Sequence, residues 1–310
     1  MRKLIIDLDP GIGDAVAAVL AMLDPEIDLL ALTATAGIVP GKLATRNLYS
    51  IVAQIDPPKW PRIGSASATA NWHKRVGQSH LEAVNGSTGL GDLEIFAPDL
   101  HHRHESSKIL IDTVRDNPHQ VTLLTLGPLT NVAAACERAP DFLSLLGGLV
   151  CLGGTVSAGG DVTAAAETNM FLDPESARSV LGSREAKMLV PLDATNAVVI
   201  TYENFNRISV GHSSSALFLK QLLPFYFRAH HQFLGMEGIW LREVVALAIV
   251  SRPGLCRQQP MLVDVEVQGT LTCGMTVVER RPQVSGKANT SVAVDADAQG
   301  VVDYMTELLR

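Results

Sequence analysis

The chain has 310 residues, 47% hydrophobic and 18% charged, a balance that supports a sizeable core and excludes intrinsic disorder. The net charge is −7 and the pI near 5.7, with basic residues scattered apart from short groups such as Glu279-Arg280-Arg281, which excludes an electrostatic footprint for nucleic acid. No apolar run approaches the ~20 residues that span a bilayer, and Leu4-Ile5-Ile6 ends at Asp7, too short for a signal sequence, so the expectation is a cytoplasmic protein without membrane contact.

LIID (4–7) predicts a first strand, DAVAAVLAMLD (14–24) a helix, LLALTAT (29–35) a strand and ATRNLYSIVAQI (44–55) a helix. Further along, SSKILIDTVRDN (106–117) predicts a helix, VTLLTLG (121–127) a strand and PLTNVAAACERA (128–139) a helix. GGLVCLGG (147–154) and AKMLVPLD (186–193) add two strands. The character then changes: MLVDVEVQGTLTCGMTVVERR (261–281) alternates and contains Gly turns, predicting an antiparallel hairpin, and VVDYMTELLR (301–310) closes as a helix. Apolar strands alternating with helices imply an α/β fold with a mostly parallel central sheet flanked by helices and a small antiparallel C-terminal extension. With no linker and no internal repeat, residues 1–310 are expected to form a single domain. Cys136, Cys151, Cys256 and Cys273 lack CxxC spacing and are expected to be buried thiols rather than zinc ligands or disulfides.

Ligands of open parallel sheets sit at the carboxyl ends of the strands, which directs attention to IIDLDPGIGDA, residues 5–15. A phosphate cradle is disfavoured because Asp7, Asp9 and Asp14 surround the two glycines and no P-loop lysine follows. A haloacid dehalogenase-type phosphatase would use Asp7 and Asp9 as its DxD pair, but Pro10-Gly11 departs from that pattern. A hard-cation site is the third reading: Pro10-Gly11 bends the chain so that Asp9 and Asp14 converge, and such oxygens suit Ca²⁺ at ~2.3–2.6 Å. On this stretch alone it stands level with a plainer alternative, in which Asp14 offsets the helix dipole and Asp9 is a turn residue.

The same stretch resembles DxDPGxDDA of the inosine-uridine-preferring nucleoside hydrolases. NGSTGLGDL (85–93), VTLLTLGPLTNVA (121–133), LGG (152–154), AAETNMFLDPESA (165–177), PLDAT (191–195) and GMTVVERR (274–281) match further segments in the same order, covering nearly the whole chain. The resemblance implies the nucleoside hydrolase fold and a Ca²⁺ ion held by Asp9, Asp14, the backbone carbonyl of Leu126 and Glu243. It implies hydrolysis of the N-glycosidic bond of ribonucleosides or related ribosides, with a metal-bound water as nucleophile and Asp9 taking its proton. Asp161, Glu167 and Asn169 would meet the 5′ end of the ribose, and Asn85 stands where the family has His. Arg242, with Tyr226 and His230 of FYFRAHHQF (225–233), would face the leaving base. The expected partner is a small nucleoside or sugar, in base salvage, and the expected assembly a homodimer or homotetramer.

Departures from the family pattern cluster on the substrate side. Gly13-Asp14 replaces Asp-Asp, which implies loss of a ribose-gripping carboxylate and an empty volume at residue 13. Gly37-Ile38 replaces Gly-Asn, Asp161 replaces Asn, Thr168 replaces Phe, and Arg242-Glu243 replaces His-Asp, putting a guanidinium where a proton donor is usual. These changes leave a catalytically inactive or repurposed sugar-binding homologue as the alternative. Tyr226 reads more readily as packing than as a substrate contact, adjacent His230-His231 is weak evidence for a metal, and HHRH (101–104) reads as a solvated loop.

Overall fold

The first strand is apolar on both faces because both are covered: Leu4, Ile6 and Leu8 enter one core and Ile5 the other. The computed structural model describes residues 1–67, 78–91, 93, 104–208, 213–281 and 287–310. In chain order its first half contains β1 (Arg2–Leu8), α1 (Ile12–Leu23), β2 (Ile27–Ala34), α2 (Gly41–Ile55), β3 (Arg62–Ser65), α3 (Gln78–Asn85), β4 (His104–Glu105), α4 (Ser106–Asp116), β5 (Val121–Thr125), α5 (Thr130–Arg138) and β6 (Gly148–Leu152). Then follow α6 (Thr168–Leu172), α7 (Pro174–Leu181), β7 (Lys187–Val190), α8 (Leu192–Thr195), β8 (Ile200–Thr201), α9 (Tyr202–Ile208), α10 (Ser214–Leu234), β9 (Gly238–Ile239) and α11 (Arg242–Ser251). The chain closes with β10 (Cys256–Met261), β11 (Val263–Val265), β12 (Thr276–Val278), β13 (Thr290–Ala296) and α12 (Ala298–Leu308).

Among the described residues, nine strands form one sheet in the order β10-β13-β7-β6-β5-β1-β2-β3-β4, parallel throughout except for the antiparallel edge pair β10/β13. From β1 the chain steps to β2, β3 and β4 on one side, then returns to the other flank of β1 with β5 and steps outward through β6 and β7. The order therefore reverses between β1 and β5, and the loops leaving these two neighbours diverge to open a crevice at their carboxyl ends. Asp7 pairs with Thr125 across this junction, and the N–H of Leu126 donates to the carbonyl of Asp7 (2.7 Å), which sets Asp9 beside Leu126-Gly127.

α11 carries Arg242 and Glu243 in its first turn, and its residues Val244–Val250 are all buried. A helix apolar on every side must be packed on every side, so its N-terminus is a rigid platform for those two charged residues. The expected hairpin is present as β11/β12. The polar edge strand CRQQPM (β10) carries no alternation that would have marked it, and its residues 257–260 are exposed. Of the four cysteines only Cys151 is buried; the other three are partly exposed, correcting the expectation of uniformly buried thiols, and none is in a disulfide. Residues 101–103 of the HHRH run lie outside the described residues, and His104 is exposed on β4. Among the described residues no helix is long and apolar enough to cross a membrane.

Candidate active site

Three carboxylates meet where the sheet order reverses. Asp9 follows β1, with its side chain in a slot that only glycines permit: a Cβ at Gly37 would overlap its Oδ2, and one at Gly127 would stand 2.7 Å from its Oδ1. Oδ2 accepts the N–H of Ile38 (2.8 Å). Asp14, fully buried in the first turn of α1, accepts the N–H of Gly11 through Oδ2 (3.1 Å), while its Oδ1 is buried without a partner. Glu243 brings a third carboxylate, and its Oε2 is likewise buried and unpartnered. Burial, and then the charge of Asp14, hold the carboxyl of Asp9 well above the usual carboxylate range. Burial and then Glu243 do the same for Asp14, and burial raises Glu243.

The volume at residue 13 is not empty, contrary to the sequence expectation. A Cβ on Gly13 would overlap Oε2 and Cδ of Glu243, so the glutamate, one methylene longer than aspartate, has laid its carboxylate over that position. Gly13 and Glu243 are sterically matched: the carboxylate of one element occupies the space that a side chain on the other would need.

The donor chemistry fits a hard divalent cation. Two orphaned carboxylate oxygens, the Asp9 carboxylate and the Leu126 carbonyl give an all-oxygen set, and unpartnered buried carboxylates are costly unless a positive charge joins them. Among the described residues no group of three His, Cys, Asp or Glu side chains already stands at ligation spacing. The fit therefore rests on the chemistry of the donors, all oxygen and two of them unpartnered, and not on their spacing.

Asp9 and Glu243 border a cavity of about 370 Å³. Its wall includes Asp9, Asn85, Leu126, Asp161, Glu167, Asn169, Tyr226, His230, Arg242 and Glu243; of the residues expected to hold the ion or the substrate, Asp14 is outside the wall, linked to it through the charges of Asp9 and Glu243. Several of these side chains also hold the scaffold. Glu167 caps α6, accepting the N–H groups of Asn169 (3.0 Å) and Met170 (3.1 Å) as well as that of Gly154 (2.8 Å), with its carboxyl pushed up to about 7 by burial. Asn169 spends its amide on the carbonyls of Leu126 (2.6 Å) and Leu152 (3.1 Å), both residues of the cavity wall. Asn85 accepts the N–H of Ile12 (3.1 Å) at the start of α1. Tyr226 and His230 pack edge to face at 4.3 Å, and the Nδ1 of His230 lies 3.0 Å from the Tyr226 carbonyl. His231 points away, exposed, toward Glu237.

Trp240 and Asn196 belong to the wall and were missed. Trp240 stands two residues before Arg242 and Asn196 directly after PLDAT, so their closeness to quoted motifs was the available signal. Arg242 lies over the Trp240 ring (5.0 Å), donates through Nε to Asn196 Oδ1 (3.0 Å), and pairs through Nη1 with Asp161 Oδ2. Asp193, inside PLDAT, was not singled out either. It gathers the N–H groups of Val156 (2.7 Å), Ser157 (2.7 Å) and Ala158 (3.1 Å), shaping the loop that carries Asp161 into the cavity. Asp7 is outside the cavity wall, fully buried, and accepts from Thr33 (2.5 Å) and Asn131 (2.8 Å), a position unsuited to a phosphatase nucleophile.

Comparison with known proteins returns one consistent family. The description of inosine-uridine preferring nucleoside hydrolases matches residues 4–303. A probable uridine nucleosidase 1 of Oryza sativa subsp. japonica is 33% identical, covering 99% of this chain and 96% of its own length. The pyrimidine-specific ribonucleoside hydrolase RihA of Salmonella paratyphi B is 31% identical over 99% and 98%. Among solved structures, the plant nucleoside hydrolase PpNRh1 superposes with a TM-score of 0.90 at 28% identity, covering 99% of this chain and 98% of that one.

Proposed function

We propose a reaction that starts from membership: this chain belongs to the inosine-uridine preferring nucleoside hydrolase family, an enzyme family that breaks the N-glycosidic bond of ribonucleosides. The finer reading is a Ca²⁺-dependent hydrolase in which Asp9, Asp14, Glu243 and the Leu126 carbonyl hold the ion. What supports it is the pair of orphaned oxygens, Asp14 Oδ1 and Glu243 Oε2, beside the buried Asp9 carboxylate. When bound, a divalent cation supplies Lewis acidity toward water and toward sugar hydroxyls.

The residues of the chain carry the rest. Asp9, with one oxygen engaged by Ile38, offers the other to the attacking water and takes its proton. As the bond to the base breaks, the sugar acquires positive charge at its anomeric carbon, and the surrounding carboxylates stabilise that charge more than they stabilise the neutral ground state. Glu243, lying where a side chain at residue 13 would begin, is the acidic group on this side of the site. Asp161 and Glu167, both in the cavity wall, would meet the 5′ end of the ribose. The apolar and aromatic wall formed by Ile38, Tyr226 and Trp240 keeps water from the reacting bond and receives the flat base. The same proposal takes residues 1–310 as one domain that works in the cytoplasm as a homodimer or homotetramer.

The test is base release from uridine and inosine in Ca²⁺ and after EDTA treatment, with calorimetric titration of Ca²⁺. The expected outcome is release that EDTA removes and Ca²⁺ restores, and loss of both Ca²⁺ uptake and turnover in Asp9→Ala and Asp14→Ala. Calcium-independent hydrolysis, or no uptake of Ca²⁺ by the unmutated protein, overturns the metal assignment.

A further inference from the structure

Arg242 is the one permanently positive side chain that the described residues place in the cavity wall, where the acidic side chains are Asp9, Asp161, Glu167 and Glu243. It is held from three directions: Nε donates to Asn196 Oδ1, Nη1 pairs with Asp161, and the plane lies over Trp240. Asp161 is in turn anchored by the backbone N–H (2.9 Å) and hydroxyl (3.0 Å) of Thr168. The guanidinium is thereby fixed in orientation, a fifth of its side chain exposed to the cavity, and Nη2 makes no hydrogen bond among the described residues. Its neighbour His230 has no proton to spare. The contact of Nδ1 with the Tyr226 carbonyl puts the ring proton on Nδ1 and leaves Nε2 as an acceptor, and burial holds the imidazole down at about 4.

We propose that Arg242 is the leaving-group residue and selects ribonucleosides whose base departs as a stable anion. The inference rests on the ribosidase reading above. When the bond from the anomeric carbon to the base nitrogen breaks, both electrons go to that nitrogen. In a uracil-type base they spread onto the carbonyl oxygens beside and opposite it, and Nη2 of Arg242 donates to one of these without losing its proton. The water oxygen bonds the anomeric carbon, its proton goes to Asp9, and the base anion takes a proton from solvent after release. Purines lose their sugar most readily when a ring nitrogen is first protonated, and a guanidinium and a neutral, accepting imidazole do not supply that proton. The site thus favours uracil-type ribosides through electrostatic support of the leaving base rather than through acid catalysis.

The experiment compares kcat/KM for uridine, 5-fluorouridine, inosine and p-nitrophenyl β-riboside, whose nitrophenolate departs without help, using the full-length protein with Ca²⁺. Unmutated protein is expected to cleave 5-fluorouridine at least as fast as uridine, and both faster than inosine. Arg242→Gln is expected to lose roughly 10- to 100-fold on uridine, the scale of one hydrogen bond to a charged group, and less than about 3-fold on the nitrophenyl riboside. Arg242→Lys, which keeps the charge and loses the fork, is expected to fall between. Equal losses of Arg242→Gln on both substrates, undiminished uridine cleavage, or a preference of the unmutated protein for inosine overturns the assignment while leaving the ribosidase reading intact. Absence of release from every riboside overturns both. If Arg242→Gln fails to fold, the comparison within the unmutated protein and Arg242→Lys decides alone.

Discussion

Gly13 shows what a single residue hides from a one-dimensional reading. In the sequence it is a missing carboxylate; in space it is the clearance that Glu243 needs, because any Cβ there would overlap the glutamate's terminal atoms. Asp9 and Asp14 were legible since a strand, a Pro-Gly bend and a helix start lie within ten residues of one another, whereas the partnership of residues 13 and 243 joins two distant helices. Gly13→Ala is therefore expected to displace Glu243 and weaken Ca²⁺ binding in calorimetry, at an overpacking cost of about 1–3 kcal/mol. In a Glu243→Ala background the same change is expected to be neutral or to stabilise by up to ~1 kcal/mol, from helix propensity alone. Additive effects across this double-mutant cycle would break the pairing. Asp7 allows a pH test at the same scale. Burial raises its carboxyl from 3.8 to about 7, so its favourable contribution to folding is fully present below 3.8 and is lost as pH rises through about 7. Asp7→Asn keeps an oxygen for Thr33 and Asn131 and cannot ionise, so its melting temperature relative to the parent is expected to climb from about pH 4 to about pH 7; a constant difference would contradict the shift.

At the scale of elements, the strands ending in Gly, Pro or Asp were readable because a parallel sheet covered on both faces demands continuous apolar runs. β10 and β4 were not, since their residues are exposed and their pairing is decided by neighbours rather than by their own pattern. The site followed the same division: side chains beside strand tips could be assigned from motifs, while the wall built by Trp240, Asn196 and the loop at 155–161 depended on tertiary packing. Asp193 is the element-level control of that loop, since three consecutive backbone N–H groups converge on its carboxylate. Asp193→Ala is expected to loosen the loop that presents Asp161 and so Arg242, raising KM for uridine by about tenfold or more, the scale of one lost charge-assisted hydrogen bond, with Ca²⁺ affinity unchanged. A fall in Ca²⁺ affinity with KM unaltered would place Asp193 elsewhere in the mechanism.

For the whole molecule, a cation bound only by the folded state stabilises it by an amount that grows with the logarithm of its excess over Kd, about 2.7 kcal/mol at a hundredfold excess. Thermal melts are expected to shift upward by several degrees in Ca²⁺ and back in EDTA. Because Asp9, Asp14 and Glu243 are all held above the usual carboxylate range, uptake of the ion is expected to release protons, detectable as a calorimetric heat that varies with the buffer, and to strengthen as pH rises. Absence of both effects would leave the three carboxylates without a counter-charge. The reversal of strand order between β1 and β5 has a kinetic corollary. The proposed ligands come from residues 9, 14, 126 and 243, so no early fragment of a growing or refolding chain owns the site; it comes into being only when chain segments far apart in sequence have docked. An ion that arrives after the folding barrier cannot hasten the climb, but it deepens the basin beyond. Stopped-flow measurements should find Ca²⁺ leaving the refolding rate nearly untouched while lengthening the lifetime of the native protein.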